Sequence, residues 1–79
     1  ISVYPNPFTA SFHLHADATL IDAKATIQNV IGETVEEFDE LNGNDFQIST
    51  NHLAAGTYIL TVTENGKITG RKKLTVMNQ

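Results

Sequence analysis

The stretch Gly56-Thr57-Tyr58-Ile59-Leu60-Thr61-Val62-Thr63-Glu64-Asn65-Gly66-Lys67-Ile68-Thr69-Gly70-Arg71-Lys72-Lys73-Leu74-Thr75-Val76 decides the fold. Tyr58, Leu60 and Val62 alternate with Thr57, Ile59, Thr61 and Thr63. A period of two puts each set on one face of a strand. Leu74 and Val76 alternate in the same way with Lys73 and Thr75. Between the two runs sits Asn65-Gly66, a pair that tolerates the positive φ a two-residue hairpin loop demands. The β-branched residues and Thr crowded into both runs favour a half-buried pleated surface. The stretch therefore reads as an antiparallel hairpin.

Working outward, the same period recurs. Phe12, Leu14 and Ala16 alternate with His13, His15 and Asp17, and Ala25, Ile27 and Asn29 with Lys24, Thr26 and Gln28. Phe46 and Ile48 repeat the pattern in a short run. Gly32 follows an apolar run and precedes Val35, which predicts a second tight hairpin. Asn42-Gly43 predicts another, between residues 35–41 and 45–49. Residues 35–41 fit poorly, because Val35 and Leu41 share a phase that Phe38 breaks; a β-bulge or a charged edge strand would resolve this. Pro5 and Pro7 cannot donate to a ladder and mark a strand end or an edge bend. Residues 50–55 read as a crossing between sheets with one helical turn. The total is about seven short strands, at the spacing expected of an Ig-like antiparallel β-sandwich.

Leu53-Ala54-Ala55-Gly56-Thr57-Tyr58 adds a specific device. A Tyr at a strand start just after Gly is similar to the tyrosine corner of such sandwiches, in which the ring packs inward and the hydroxyl bonds a backbone group upstream.

Composition bounds the function. The chain has 79 residues, no Cys, 41% hydrophobic and 18% charged residues, and a net charge of −4. That is one small core with neither a disulfide nor a thiolate metal site to support it. Five basic residues are a poor basis for nucleic-acid binding, which rests on neutralising phosphates. No apolar run approaches the length of a membrane-spanning helix. There is little material for a deep substrate pocket. The sequence starts at Ile1 and reads as a single module, residues 1–79, cut from a larger protein that it serves.

Three clusters carry residue types capable of chemistry. His13, His15 and Asp17 share a strand face and carry metal-ligand types, but alternate positions lie about 7 Å apart and a closed zinc site wants four ligands. The oxygen-rich run 39–45 fails the spacing of a calcium loop, since its Gly would put Phe38 at the first ligand position. The carboxylates Glu33, Glu36, Glu37, Asp39 and Glu40 have no cleft around them that would raise one pKa for glycoside chemistry. No nucleophile elbow or phosphate loop is present. These clusters therefore read as solvated faces and a turn, with no metal, cofactor or small-molecule substrate. By contrast, four of the five basic residues, Lys67, Arg71, Lys72 and Lys73, fall together near the end of the chain, on a strand. They read as an edge-protecting group or as a docking patch for an anionic partner.

Four stretches occur in order: Val3-Tyr4-Pro5-Asn6-Pro7-Phe8, Ile27-Gln28-Asn29-Val30-Ile31-Gly32-Glu33, Leu53-Ala54-Ala55-Gly56-Thr57-Tyr58 and Arg71-Lys72-Lys73-Leu74-Thr75-Val76. Together they resemble the C-terminal sorting domain of the type IX secretion system (Por secretion, type A) of Bacteroidota. The resemblance implies a non-enzymatic, folded secretion signal of Ig-like form. Such a signal passes through the periplasm attached to an upstream cargo domain. The outer-membrane translocon and its partners recognise it, and a sortase-like cysteine protease typically removes it at the cell surface or in the medium. By position, the resemblance implies roles for Pro5, Asn6 and Pro7, for Gly56 and Tyr58, and for the terminal basic residues Arg71, Lys72 and Lys73; either Lys72 or Lys73 matches the family's basic position. The other reading is an accessory Ig-like or fibronectin-like module, a spacer or a carbohydrate binder. A sugar platform would need exposed aromatics, and Phe12, Phe46 and Tyr58 are assigned inward by alternation, which leaves Tyr4, Phe8 and Phe38.

Overall fold

Asn65 (φ 51°) and Gly66 (φ 77°) both take left-handed backbone and close the hairpin expected between the last two strands. The structure, a computed structural model, describes residues 1–7, 10–50 and 52–77. These residues form five strands and no helix: β1 (Ser2–Tyr4), β2 (Ser11–Gln28), β3 (Thr34–Ser49), β4 (Gly56–Glu64) and β5 (Lys67–Val76). All strand pairs are antiparallel.

The sequence predicts seven strands, and the structure has five among the described residues, because two pairs of runs fuse. Residues 11–17 and 24–29 belong to one long strand, β2, and residues 35–41 and 45–49 to its partner β3. Asn42-Gly43 is accordingly no hairpin tip. A two-residue hairpin loop wants positive φ at both positions. Here Gly43 has φ 122° while Asn42 is not among the positive-φ residues, and the runs on either side pair with β2 instead of each other.

The pair is instead bulged in its middle. β2 carries extra residues between His15 and Leu20 and between Leu20 and Ala23, and β3 carries one between Leu41 and Phe38. Asp22 (φ 47°) and Glu40 (φ 57°) take the left-handed backbone these irregularities need. The Asn42 side chain ties the two strands there: its Oδ1 accepts from the Asp22 N–H at 3.0 Å and its Nδ2 donates to the Glu40 carbonyl at 3.1 Å. The bulge also removes the phase conflict of residues 35–41. An extra residue restores the inward phase, so Phe38 and Leu41 both pack against the core.

At the far end of this long hairpin the turn near Gly32 forms as expected. The Gly32 N–H donates to the Asn29 carbonyl at 3.0 Å, and Asn29 Oδ1 accepts from the N–H groups of Ile31 (3.1 Å) and Glu33 (2.9 Å). Between β3 and β4 the described residues form a turn and no helix, with the Leu53 N–H on the Thr50 carbonyl at 3.1 Å; Asn51 lies outside the described residues.

β2 organises the sheet. β3 lines one of its edges, while the other is shared by β1, opposite residues 13–15, and β4, opposite residues 24–28. β5 continues beyond β4. The bulged bend curls the sheet until its two halves face each other and bury one core. Phe12, Leu14, Ala16 and Ile48 come from one half, and Ala25, Ile27, Tyr58, Leu60, Val62, Leu74 and Val76 from the other. The curl also brings β1 against β5. A Cβ added to Gly70 would stand 2.8 Å from Ile1 Cγ1. Glu64 fastens the bend to the last hairpin: its carboxylate accepts from the Ile21 N–H at 3.0 Å and from the Thr69 hydroxyl at 3.1 Å.

Candidate recognition edge

The last strand has one partner. β4 pairs with it from Gly56↔Val76 to Glu64↔Lys67, and among the described residues no strand pairs with its other side. Side chains alternate along it. Leu74 and Val76 are buried, so the opposite face carries Arg71, Lys73 and Thr75, while Lys72 shares the phase of Leu74. All three basic residues are exposed. Lys72 and Lys73, equivalent to the eye in sequence, therefore project from opposite faces of the strand.

On the unpaired side lies Asn6. Its Nδ2 donates to the Lys73 carbonyl at 2.8 Å, and its Oδ1 accepts from the Thr75 N–H at 3.1 Å. Pro5 and Pro7 flank it, each after a cis peptide bond. Phe8 lies outside the described residues. Asn6 and Lys73, sixty-seven positions apart, are thus joined directly. The sequence identified both but gave no sign that they touch.

Tyr58 does what the corner motif predicts. Its ring is buried, and its hydroxyl donates to the Ala54 carbonyl at 2.7 Å. Such a bond pins the crossing segment to the start of β4. Tyr58 stands opposite Leu74, and Gly56 opposite Val76. These two motif positions support β5 from below, and Tyr58 is too buried to offer a contact of its own. Gln28 lies opposite Ile59, which in turn lies opposite Lys73. The four sequence stretches therefore meet along one end of the sheet: the β2–β3 turn, the start of β4, the end of β5, then Asn6. Val30 and Ile31 project from that turn, more than three-quarters exposed.

Charge is separated across the molecule. The fifth cation, Lys24, sits 3.6 Å from Glu37 Oε1 and 3.7 Å from Asp39 Oδ1, on the acidic side. Among the described residues no carboxylate forms an ion pair with Lys67, Arg71, Lys72 or Lys73.

Both His residues of the His13–Asp17 strand face have other partners. The His13 ring stacks on Tyr4, with centroids 5.3 Å apart, and His15 Nδ1 lies 2.8 Å from Asp45 Oδ1. His52 pairs with Glu36. Among the described residues no three His, Cys, Asp or Glu side chains gather to hold a metal ion, and no cavity opens. Of the aromatics left for a sugar platform, Tyr4 is half-exposed against His13 and Phe38 is half-buried on the core.

The family described as "Secretion system C-terminal sorting domain" matches residues 2–77. The chain belongs to that family. It is the C-terminal secretion signal of the type IX system, which directs attached cargo to the cell surface or the medium and so works with that system's machinery and an upstream cargo. The accessory-module reading is not favoured. No curated protein and no solved structure matches the chain.

Proposed function

We propose that the exposed side of β5 is the element that the outer-membrane translocon reads. The observation that carries this is three consecutive exposed cations, Arg71, Lys72 and Lys73, on an edge strand with no ion-pair partner among the described residues. An edge strand offers both a row of backbone groups and its side chains, so recognition needs no pocket. Asn6, flanked by Pro5 and Pro7, holds the neighbouring segment against this strand, and Gly56 and Tyr58 set β4 beside it. In this reading the domain has no catalytic role, takes neither nucleic acid nor a small-molecule substrate, and forms one unit, residues 1–79, of a larger secreted protein. The precursor crosses the periplasm, and a sortase-like cysteine protease separates the domain from its cargo.

The test is a reporter sent to the periplasm and fused to residues 1–79, in a host that has the system. Removing residues 70–79 should leave the reporter in the periplasm. Equal amounts of reporter in the medium with and without those residues would overturn the proposal.

A further inference from the structure

Asn6 shows which backbone groups of β5 face away from β4. It bonds the Lys73 carbonyl and the Thr75 N–H. In an antiparallel strand a residue's own N–H and C=O point to the same side, and the side alternates from one residue to the next. Arg71, Lys73 and Thr75 therefore all present both groups on the unpaired side. The Asn6 amide makes two of the bonds that a further strand would make there. It leaves the Arg71 pair, the Lys73 N–H and the Thr75 carbonyl without a strand partner among the described residues. Asn6 is itself exposed, so both of its bonds lie at the surface, where water or another amide exchanges with them readily. Cations stand on both faces of this stretch, Arg71 and Lys73 on one and Lys72 on the other, in a chain whose net charge is −4.

We infer that the unpaired side of β5 is a strand-addition site for an extended, acidic segment of a partner protein, and that the Asn6 amide is a removable plug on it. The incoming segment displaces the Asn6 side-chain amide, moves β1 aside where the curl brings it against β5, and gains main-chain bonds along Arg71 to Thr75. Its carboxylates meet Arg71 and Lys73 on one face and Lys72 on the other. The plug keeps the edge from pairing with unrelated strands until a segment able to make more bonds arrives. The inference rests on the proposal that β5 is the recognised strand, and it adds how that strand is engaged.

The test is a titration of the isotope-labelled chain with a synthetic peptide, Thr-Val-Glu-Glu-Glu-Val-Thr, whose outer two Glu face one side of an extended strand and whose central Glu faces the other, followed by amide chemical shifts. Shifts should centre on Arg71, Lys73 and Thr75. Asn6→Ala should bind on the order of tenfold more tightly, the factor that corresponds to two modest exposed hydrogen bonds. Asn6→Ser, too short to span both bonds, should behave alike, and the rest of the amide spectrum reports that each variant is folded. A peptide with Lys in place of Glu should leave the spectrum unchanged. Equal affinity for the parent chain and both variants, shifts centred on β3, or equal binding of the Lys peptide would each overturn the inference. The titration involves no secretion. A chain that takes the peptide but exports cargo without residues 70–79 refutes the export reading alone. A chain that needs those residues for export yet ignores the peptide refutes strand addition alone.

Discussion

The two edges of the sheet, β3 and β5, face the same hazard and meet it differently. Among the described residues both pair on one side only. β3 is crowded with carboxylates, bulged near Glu40 and turned through positive-φ backbone at Gly43 where it meets the bulges of β2, so its unpaired side is neither flat nor regular. Charge and irregularity of that kind are built into the strand and discourage any added chain. β5 keeps a regular register from Val76 to Gly70, carries the opposite charge, and is covered by an amide contributed from the other end of the sequence. One edge is closed by its own residues, whereas the other is closed by a part that can leave. A domain that must avoid chance pairing and still be read by machinery needs one edge of each kind.

The sharpest break in this comparison is charge reversal. Arg71→Glu with Lys73→Glu should abolish most export of a fused reporter, while Glu37→Lys with Asp39→Lys on β3 should leave export near the parent level. Both pairs are exposed, so folding should survive each change, and circular dichroism checks that. Equal loss from the two edges would show that β5 has no special part in export. The irregularity of β3 is tested by Gly43→Ala. The new Cβ would meet only Phe46 Cζ, at 3.9 Å, an ordinary contact. The cost is therefore the backbone at φ 122°, of order 1–3 kcal/mol, read as a lower urea midpoint. An unchanged midpoint would mean that the bulge relaxes freely and does not stiffen this edge.

The same two edges show how far the sequence could be read. β4 and β5 follow from alternation and Asn65-Gly66, because every local signal there agrees with the pairing. The run from Thr34 to Ser49 misleads, because its strongest local signal, Asn42-Gly43, is overridden by pairing to β2 along both of its halves. A dipeptide can favour a turn, but it cannot report that a long partner strand lies beside it. The bulge was legible from the misplaced phase of Phe38. At the recognition edge, the residue types and the Tyr58 corner were legible, since they depend on spacing within one segment. The Asn6 contact with Lys73 and Thr75 was not, since it depends on the curl that brings β1 to β5 and on nothing local to either stretch.

Smaller effects should refine the comparison. Tyr58→Phe removes the bond to the Ala54 carbonyl while keeping the ring opposite Leu74, and should cost about 1 kcal/mol of stability. If the corner serves mainly to seat β4 under β5, amide exchange in that variant should rise along residues 72–76 more than along β3. Uniform acceleration would make the bond a general contribution to stability without special bearing on the last strand.

The smallest effect is expected at Lys24, and it tests whether the acidic edge depends on its one cation. Lys24 lies between Glu37 and Asp39, with all three side chains about half exposed or more. Pairs of that kind contribute roughly 0–1 kcal/mol, because water screens them and two long side chains must be held still. Lys24→Met should therefore shift the urea midpoint only slightly. That shift should vanish in about 1 M salt, where the screening length falls to about 3 Å. A loss that persisted in salt could not be electrostatic and would point to packing of the Lys24 methylenes across β2 and β3. A large, salt-sensitive loss would mean that repulsion along β3 is held in check by this residue. The acidic edge would then depend on a single removable contact just as the basic edge depends on Asn6, and the contrast between the two would fail.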